Sequence, residues 1–126
     1  MNVPDDLRYT SDHEWIRPAE AALRVGLTDF AQDALGDVVF VELPAVGTVV
    51  SKGGPLSEVE STKSVSQIYA PVSGTVVETN EQLRGAPELV NSEPYGEGWI
   101  CAIEASDPGE LETLLGPEEY RTATDA

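Results

Sequence analysis

Two lysines, one histidine and one cysteine stand out in a 126-residue chain whose other ionisable groups are mostly carboxylates. Lys63 lies in the stretch Pro-Leu-Ser-Glu-Val-Glu-Ser-Thr-Lys-Ser-Val-Ser-Gln-Ile-Tyr-Ala. Strand-like runs from Leu56 to Glu60 and from Val65 to Ala70 flank the polar centre Ser61-Thr62-Lys63-Ser64, which predicts a hairpin with the lysine at its tip. A lysine there projects into solvent, where an enzyme can draw the whole ε-amine into an active site and acylate it. Acylation removes the charge and turns a basic side chain into a long amphipathic arm. Lys52 sits in the turn Ser-Lys-Gly-Gly, with no exit strand of the Ala-Pro-Val-Ser-Gly type behind it.

The histidine lies between two acids, Asp12-His13-Glu14, a composition suited to a general acid and base pair. On an extended strand adjacent side chains point to opposite faces, so Asp12 and Glu14 share one face and His13 takes the other as a packing or surface residue. Cys101 falls in the apolar run Trp-Ile-Cys-Ala-Ile and is expected to be a buried structural thiol; a lone cysteine excludes an internal disulfide and a cysteine metal cage. No glycine-rich phosphate loop, nucleophile elbow or metal-ligand spacing occurs, so neither a catalytic nor a metal site is expected.

The formal charge is −16, from 23 acidic against 7 basic residues. Such a body repels nucleic acid phosphates and anionic membranes and favours partners with basic surfaces. No apolar run approaches the length that spans a bilayer. The start Met-Asn-Val-Pro-Asp-Asp lacks the flanks of a secretory or organelle signal, and a cytoplasmic location is the expectation.

The elements that must position these residues are short and mostly extended. Candidate strands run from Ala22 to Gly26, Val38 to Leu43, Thr48 to Val50, Leu56 to Glu60, Val65 to Ala70, Thr75 to Thr79 and Trp99 to Glu104. Their spacing points to a small sandwich or flattened barrel. Val38 to Leu43 keeps no strict alternation, which implies burial on both faces. Thr28 is placed to cap a short helix over Asp-Phe-Ala-Gln-Asp-Ala-Leu that Gly36 stops. Asp107, Pro108 and Glu110 mark the start of a C-terminal helical segment, about 107–122, with Gly116 ending its first helix before Pro117 begins the next. The tetrapeptide Gly-Thr-Val-Val occurs at 47–50 and again at 74–77, as expected of two β half-units facing one another, and only the first half carries the lysine.

Beyond these local patterns, Glu60-Ser-Thr-Lys-Ser64 with Ala70-Pro-Val-Ser-Gly-Thr-Val76 resembles the modification hairpin and return strand of lipoyl domains. Tyr9-Thr-Ser-Asp-His-Glu-Trp15, Gly26-Leu-Thr-Asp29, Leu35-Gly-Asp-Val-Val-Phe-Val-Glu-Leu-Pro44 and Asn91-Ser-Glu-Pro-Tyr-Gly-Glu-Gly-Trp99 resemble glycine cleavage H proteins, in order and over nearly the whole chain. The resemblance implies a mostly β, lipoyl-domain-like sandwich of two antiparallel sheets with short helices. It implies one carrier domain over 1–126, with the β core at about 22–104. It further implies lipoic acid in amide linkage to Lys63 and no catalysis by the chain itself. The implied partners are a pyridoxal-phosphate glycine decarboxylase, a tetrahydrofolate-dependent aminomethyltransferase, a flavin dihydrolipoyl dehydrogenase and a lipoyl-attaching enzyme.

The resemblance also implies that acidic side chains hold the amine of the loaded arm, and Glu14 matches such a position, with Asp12 a lesser candidate. The family often has Asp four residues after the lysine and Val before it; here those places hold Gln67 and Thr62. A biotinyl carrier, whose lysine is typically flanked by Met on both sides, is the alternative, as is an unmodified acidic binding module. The flanks Thr62 and Ser64 speak against biotin.

Overall fold

In the computed structural model, which describes residues 2–18 and 22–124, the two Gly-Thr-Val-Val copies lie side by side. They pair antiparallel, Val49 opposite Thr75 and Val50 opposite Gly74. On its other side the second copy runs close against the segment 101–105, and glycine at position 74 permits this: a Cβ there would stand 2.1 Å from the Glu104 carbonyl oxygen.

In chain order the elements are β1 (Arg8–Tyr9), β2 (Glu14–Arg17), β3 (Leu23–Leu27), α1 (Asp29–Leu35), β4 (Val38–Glu42), β5 (Val49–Val50), β6 (Pro55–Ser61), β7 (Val65–Tyr69), β8 (Gly74–Thr79), α2 (Gln82–Gly85), α3 (Leu89–Ser92) and β9 (Cys101–Ala105). A 3-10 helix (Pro108–Thr113) and α4 (Pro117–Thr124) follow. The strands form two antiparallel sheets, one in the order β1-β2-β3-β9-β8-β5 and one in the order β4-β6-β7. The fold class expected from the sequence is the one observed.

Ile16, Val25, Val59, Val72, Val76, Ile100 and Ile103 are completely buried within one large cluster of apolar side chains. A second cluster of Leu7, Tyr9, Trp15, Trp99 and Tyr120 gathers the chain ends around β2, where the Tyr9 and Tyr120 rings stack at 4.6 Å. Cys101 is fully buried, and burial pushes its thiol up to about 12, which makes it inert near neutral pH.

Several expectations are corrected. β1 and β2 lie ahead of the anticipated β core, because Thr10 to His13 turn the chain between two very short extended runs. Val38 to Glu42 is not buried on both faces. A register shift between Val38 and Phe40 leaves Val39 and Phe40 about half exposed, while Val38 and Val41 stay in the core. A bulge breaks alternation without adding burial, and periodicity alone cannot separate the two cases.

Asp107 caps the C-terminal segment as expected, accepting from the Gly109 N–H at 3.0 Å. Glu110 does not close a capping box; its carboxylate instead accepts from the Ser73 N–H at 2.7 Å and the Ser73 hydroxyl at 3.0 Å. The first turn is 3-10 and ends before Leu114, so Gly116 precedes α4 instead of ending the first helix.

Trp15 faces Gly26 across the β2–β3 pair, and a Cβ at position 26 would stand 2.6 Å from the indole ring. Gly26→Ala is therefore expected to displace Trp15 and to cost about 1–3 kcal/mol, read as a lower urea midpoint. An unchanged midpoint would show that the ring is not locked against the glycine.

Candidate functional site

The β6–β7 hairpin turns at Thr62-Lys63-Ser64, as the sequence predicts. Ser61 organises the tip: its N–H donates to the Ser64 carbonyl at 2.8 Å, and its hydroxyl oxygen accepts from the N–H groups of Lys63 at 3.2 Å and Ser64 at 3.1 Å. Thr62 N–H donates to the Asp37 carbonyl at 3.0 Å, which ties the tip to the segment between α1 and β4.

Lys63 is exposed, and its ammonium makes no hydrogen bond or ion pair among the described residues. Its stem runs over Gly36, where a Cβ would lie 3.1 Å from the lysine Cε. The other lysine is engaged. The Lys52 ammonium donates to the Thr113 hydroxyl at 2.8 Å and to the Pro71 carbonyl at 3.3 Å.

Directly beside the tip opens a cleft of about 230 Å³. Ser64 to Gln67 on the outgoing hairpin strand form one wall, and Leu27, Ala31, Ala34 and Leu35 form an apolar opposite wall. Asp12, His13 and Glu14 line the cleft as well, so it gathers Asp12, Glu14 and Gln67 next to Lys63. The alternation expected across Asp12, His13 and Glu14 does not hold. The three residues are not one strand: His13 takes a left-handed φ of +68° in the turn before β2 and faces the same cleft as its neighbours. That backbone is held from outside. The His13 Nδ1 lies 2.9 Å from the Tyr120 hydroxyl, which is itself 2.7 Å from the Thr28 hydroxyl, and the imidazole packs on Phe30 at 4.4 Å. Burial lowers the imidazole pKa against the opposing pull of Asp12, which leaves it neutral near neutral pH.

Glu14 is not a solvated strand acid. It is only 2 % exposed, with one carboxylate oxygen accepting from the Thr10 hydroxyl at 2.9 Å and the other from the Tyr69 N–H at 3.0 Å. The second bond crosses from β2 to β7, from one sheet to the other. Burial raises the carboxyl to about 7, with the Tyr69 and Thr10 donors pulling it down and Asp12 pushing it further up. Asp12 remains exposed, and Gln67 donates its amide N–H to the Ser57 carbonyl at 2.8 Å.

Thr10, the Tyr69 N–H and Tyr120 went unmarked in the sequence. Only the Thr10 position, four residues before an acid, carries a local signal for its bond. Thr28 caps α1 as predicted, accepting from the Ala31 N–H at 3.2 Å. Among the described residues there is no cluster of three or more His, Cys, Asp or Glu able to hold a metal ion, and no helix long and apolar enough to cross a membrane.

Two packed antiparallel sheets, an exposed lysine at a hairpin tip and a narrow cleft beside it define a small β-sandwich of the carrier class. The family model for the glycine cleavage H-protein matches residues 7–126, and the chain belongs to that family. It is 58 % identical over 125 residues to a glycine cleavage system H protein of Mycobacterium leprae, covering 95 % of each chain. It is 54 % identical over 121 residues to one of Anaeromyxobacter, covering 96 % of this chain and 94 % of the relative. The crystal structure of a glycine cleavage system H protein from Mycobacterium marinum superposes with a TM-score of 0.91 at 43 % identity, over 98 % of this chain and 100 % of the other.

The buried carboxyl has a thermodynamic signature. Its pKa in the folded protein is about 7, against an ordinary value of 4.5. Between those values the native state binds more protons than the unfolded chain, so this group makes stability fall as pH rises. From about pH 5 to about pH 8 the loss is expected to be on the order of 1–3 kcal/mol. Glu14→Gln is expected to flatten that slope in denaturant unfolding at fixed pH values. A slope unchanged by the substitution would mean that Glu14 is not the titrating group.

Proposed function

We propose that this chain is the lipoyl carrier of a glycine cleavage system, holding lipoic acid in amide linkage to Lys63. In this reading it takes aminomethyl cargo from a pyridoxal-phosphate glycine decarboxylase to a tetrahydrofolate-dependent aminomethyltransferase. A flavin dihydrolipoyl dehydrogenase then restores the carrier, and the chain itself catalyses nothing. The observation that carries the reading is the contrast between the two lysines: Lys63 stands exposed at a hairpin tip beside a cleft, while the Lys52 ammonium is bonded to Thr113 and Pro71. Family membership supplies the system in which such a lysine works.

The residues present fit the prosthetic group. Leu27, Ala31, Ala34, Leu35 and Val65 offer an apolar wall to a hydrocarbon stem, and Asp12 and Glu14 offer a polar end to a cationic cargo. A volume of about 230 Å³ suits one narrow chain. The attachment point and the cleft are contiguous through Ser64. When bound, lipoic acid supplies the flexible arm and the sulfur that carries the aminomethyl group.

The remaining roles belong to the side chains. Lys63 presents its amine where an enzyme can engulf it. The cleft withdraws the cargo from water, whose attack would release formaldehyde and ammonia. Glu14 still has acceptor capacity, because each of its oxygens takes only one protein hydrogen bond. An ammonium brought to it favours the ionised carboxylate and lowers its raised pKa. Asp12 adds a second, exposed acceptor at the rim, whereas Gln67 contributes no charge there.

Incubation with lipoic acid, ATP and a lipoyl-attaching enzyme, followed by intact-mass and peptide-mass analysis, tests the attachment. Wild type and Lys52→Arg are expected to gain one lipoyl mass, located on Lys63, and Lys63→Arg to gain none and to support no glycine cleavage in a reconstituted mixture. A lipoyl adduct on Lys52, or a biotinyl mass in protein from the native host, would overturn the reading.

Ammonia release from loaded, partner-free protein tests the cleft. Glu14→Ala is expected to speed release by roughly a few-fold to tenfold, the scale of one partly desolvated ion pair. Glu14→Gln, which keeps the shape of the side chain, is expected to do the same. Gln67→Asp is expected to slow release, less strongly because Glu58 faces that position across the hairpin. Equal rates in all four proteins would remove the cleft role and leave the carrier role standing.

A further inference from the structure

Asn91 lies on α3, remote in sequence from both the lysine and the cleft, yet its carboxamide is engaged at three points around one short segment. Its N–H groups donate to the Gly36 carbonyl at 2.8 Å and to the Gln32 side-chain oxygen at 3.0 Å. Its oxygen accepts from the Val38 N–H at 2.8 Å. The residue between the two clipped ones is Asp37, and the Asp37 carbonyl is the acceptor for the Thr62 N–H at 3.0 Å. Gly36, at φ +81°, also lies under the Lys63 stem, where a Cβ would stand 3.1 Å from the lysine Cε.

We infer that Asn91 is a positioning residue: by clamping Gly36 and Val38 it fixes the seat on which the Lys63 tip rests, and so governs how readily the lysine is offered for acylation. The inference rests on Lys63 being the acylated residue.

The physical argument concerns order at the tip. The last register pair joining β4 to β6 is Val38 with Ser61, and beyond it Thr62 is held to the body of the protein by Asp37. The 36–38 segment turns from helix to strand through a glycine, the residue with most backbone freedom to lose. A turn of this kind stays in one conformation only if its polar groups have fixed partners, and Asn91 supplies them on either side of Asp37. An attaching enzyme reaches the amine through the lysine side chain alone, so disorder at the tip must be removed on binding. Loosening the seat weakens capture of the substrate protein and leaves the chemical step, once the amine is seated, unaltered.

The test uses full-length apoprotein with a lipoate-attaching enzyme, free lipoic acid and ATP. Asn91→Asp keeps the side-chain shape and the acceptor for Val38 N–H but removes both donors; Asn91→Ala removes all three contacts. Both are expected to raise the KM for apoprotein by roughly five- to tenfold, the scale of one or two lost hydrogen bonds, with kcat within about twofold of wild type. Hydrogen exchange at the Thr62 amide is expected to quicken by about tenfold or more, while amides in β3 and β9 keep wild-type rates.

An unchanged KM, a fall confined to kcat, or exchange rising equally in β3, β9 and Thr62 would each overturn the inference. The last outcome would show a general loss of stability. Failure of wild type to gain a lipoyl mass on Lys63 in the same reaction would remove the carrier reading itself, and the inference with it.

Discussion

A carboxyl group taken out of water between two sheets has to be satisfied from both sides or neutralised, and Glu14 is built under that constraint. One of its oxygens is held by Thr10 within its own turn, and the other by the Tyr69 N–H on the far sheet. The bond fixes β2 against β7, and with it the distance between the Asp12-His13-Glu14 turn and the hairpin that carries Lys63. The cleft is bordered by these two pieces of chain together with Ala31, Ala34 and Leu35 of α1. The same burial that makes the tie strong raises the carboxyl to about 7, which leaves the group responsive to any cation that approaches it.

Around that tie the aromatic cluster acts as a clasp. Tyr120, on the last helix, stacks on Tyr9 and places its hydroxyl between Thr28 and His13. Thr28 is the N-cap of α1, and His13 is the left-handed corner before β2. One hydroxyl from the end of the chain thus holds both the helix start and the turn that border the cleft. A non-glycine residue at positive φ costs on the order of 1 kcal/mol or more, and it persists only where its surroundings over-determine it. The bond to Tyr120 and the contact with Phe30 provide that surrounding.

The lysine end is arranged on the opposite principle. The tip is kept ordered through its backbone, by Ser61 and by the Asp37 carbonyl, while the side chain is left with its ammonium free of protein partners among the described residues. A chain with only two lysines and a charge of −16 could have tied both amines to carboxylates. It ties one, Lys52, to the neutral oxygens of Thr113 and Pro71. Selective presentation of Lys63 follows from that difference in engagement.

Much of this was legible from local pattern. The hairpin around Lys63, the Thr28 cap, the Gly36 stop and the strand-forming Gly-Thr-Val-Val copies each depend on a few consecutive residues, and backbone propensity and side-chain capping act over that range. The sequence by itself therefore determined which lysine stands at a tip and that the fold is a small β sandwich or flattened barrel, with the two antiparallel sheets implied by the family resemblance. The bulge at Val39, the burial of Glu14, the corner at His13 and the clamp by Asn91 were decided only by tertiary structure. Tyr69 is 55 residues from Glu14, Tyr120 is 107 from His13, and Gly36 is 55 from Asn91. A buried polar group takes its character from whichever donor or acceptor the fold brings to it. At such separations that partner is set by how the sheets pack and register, which no local run of residues encodes.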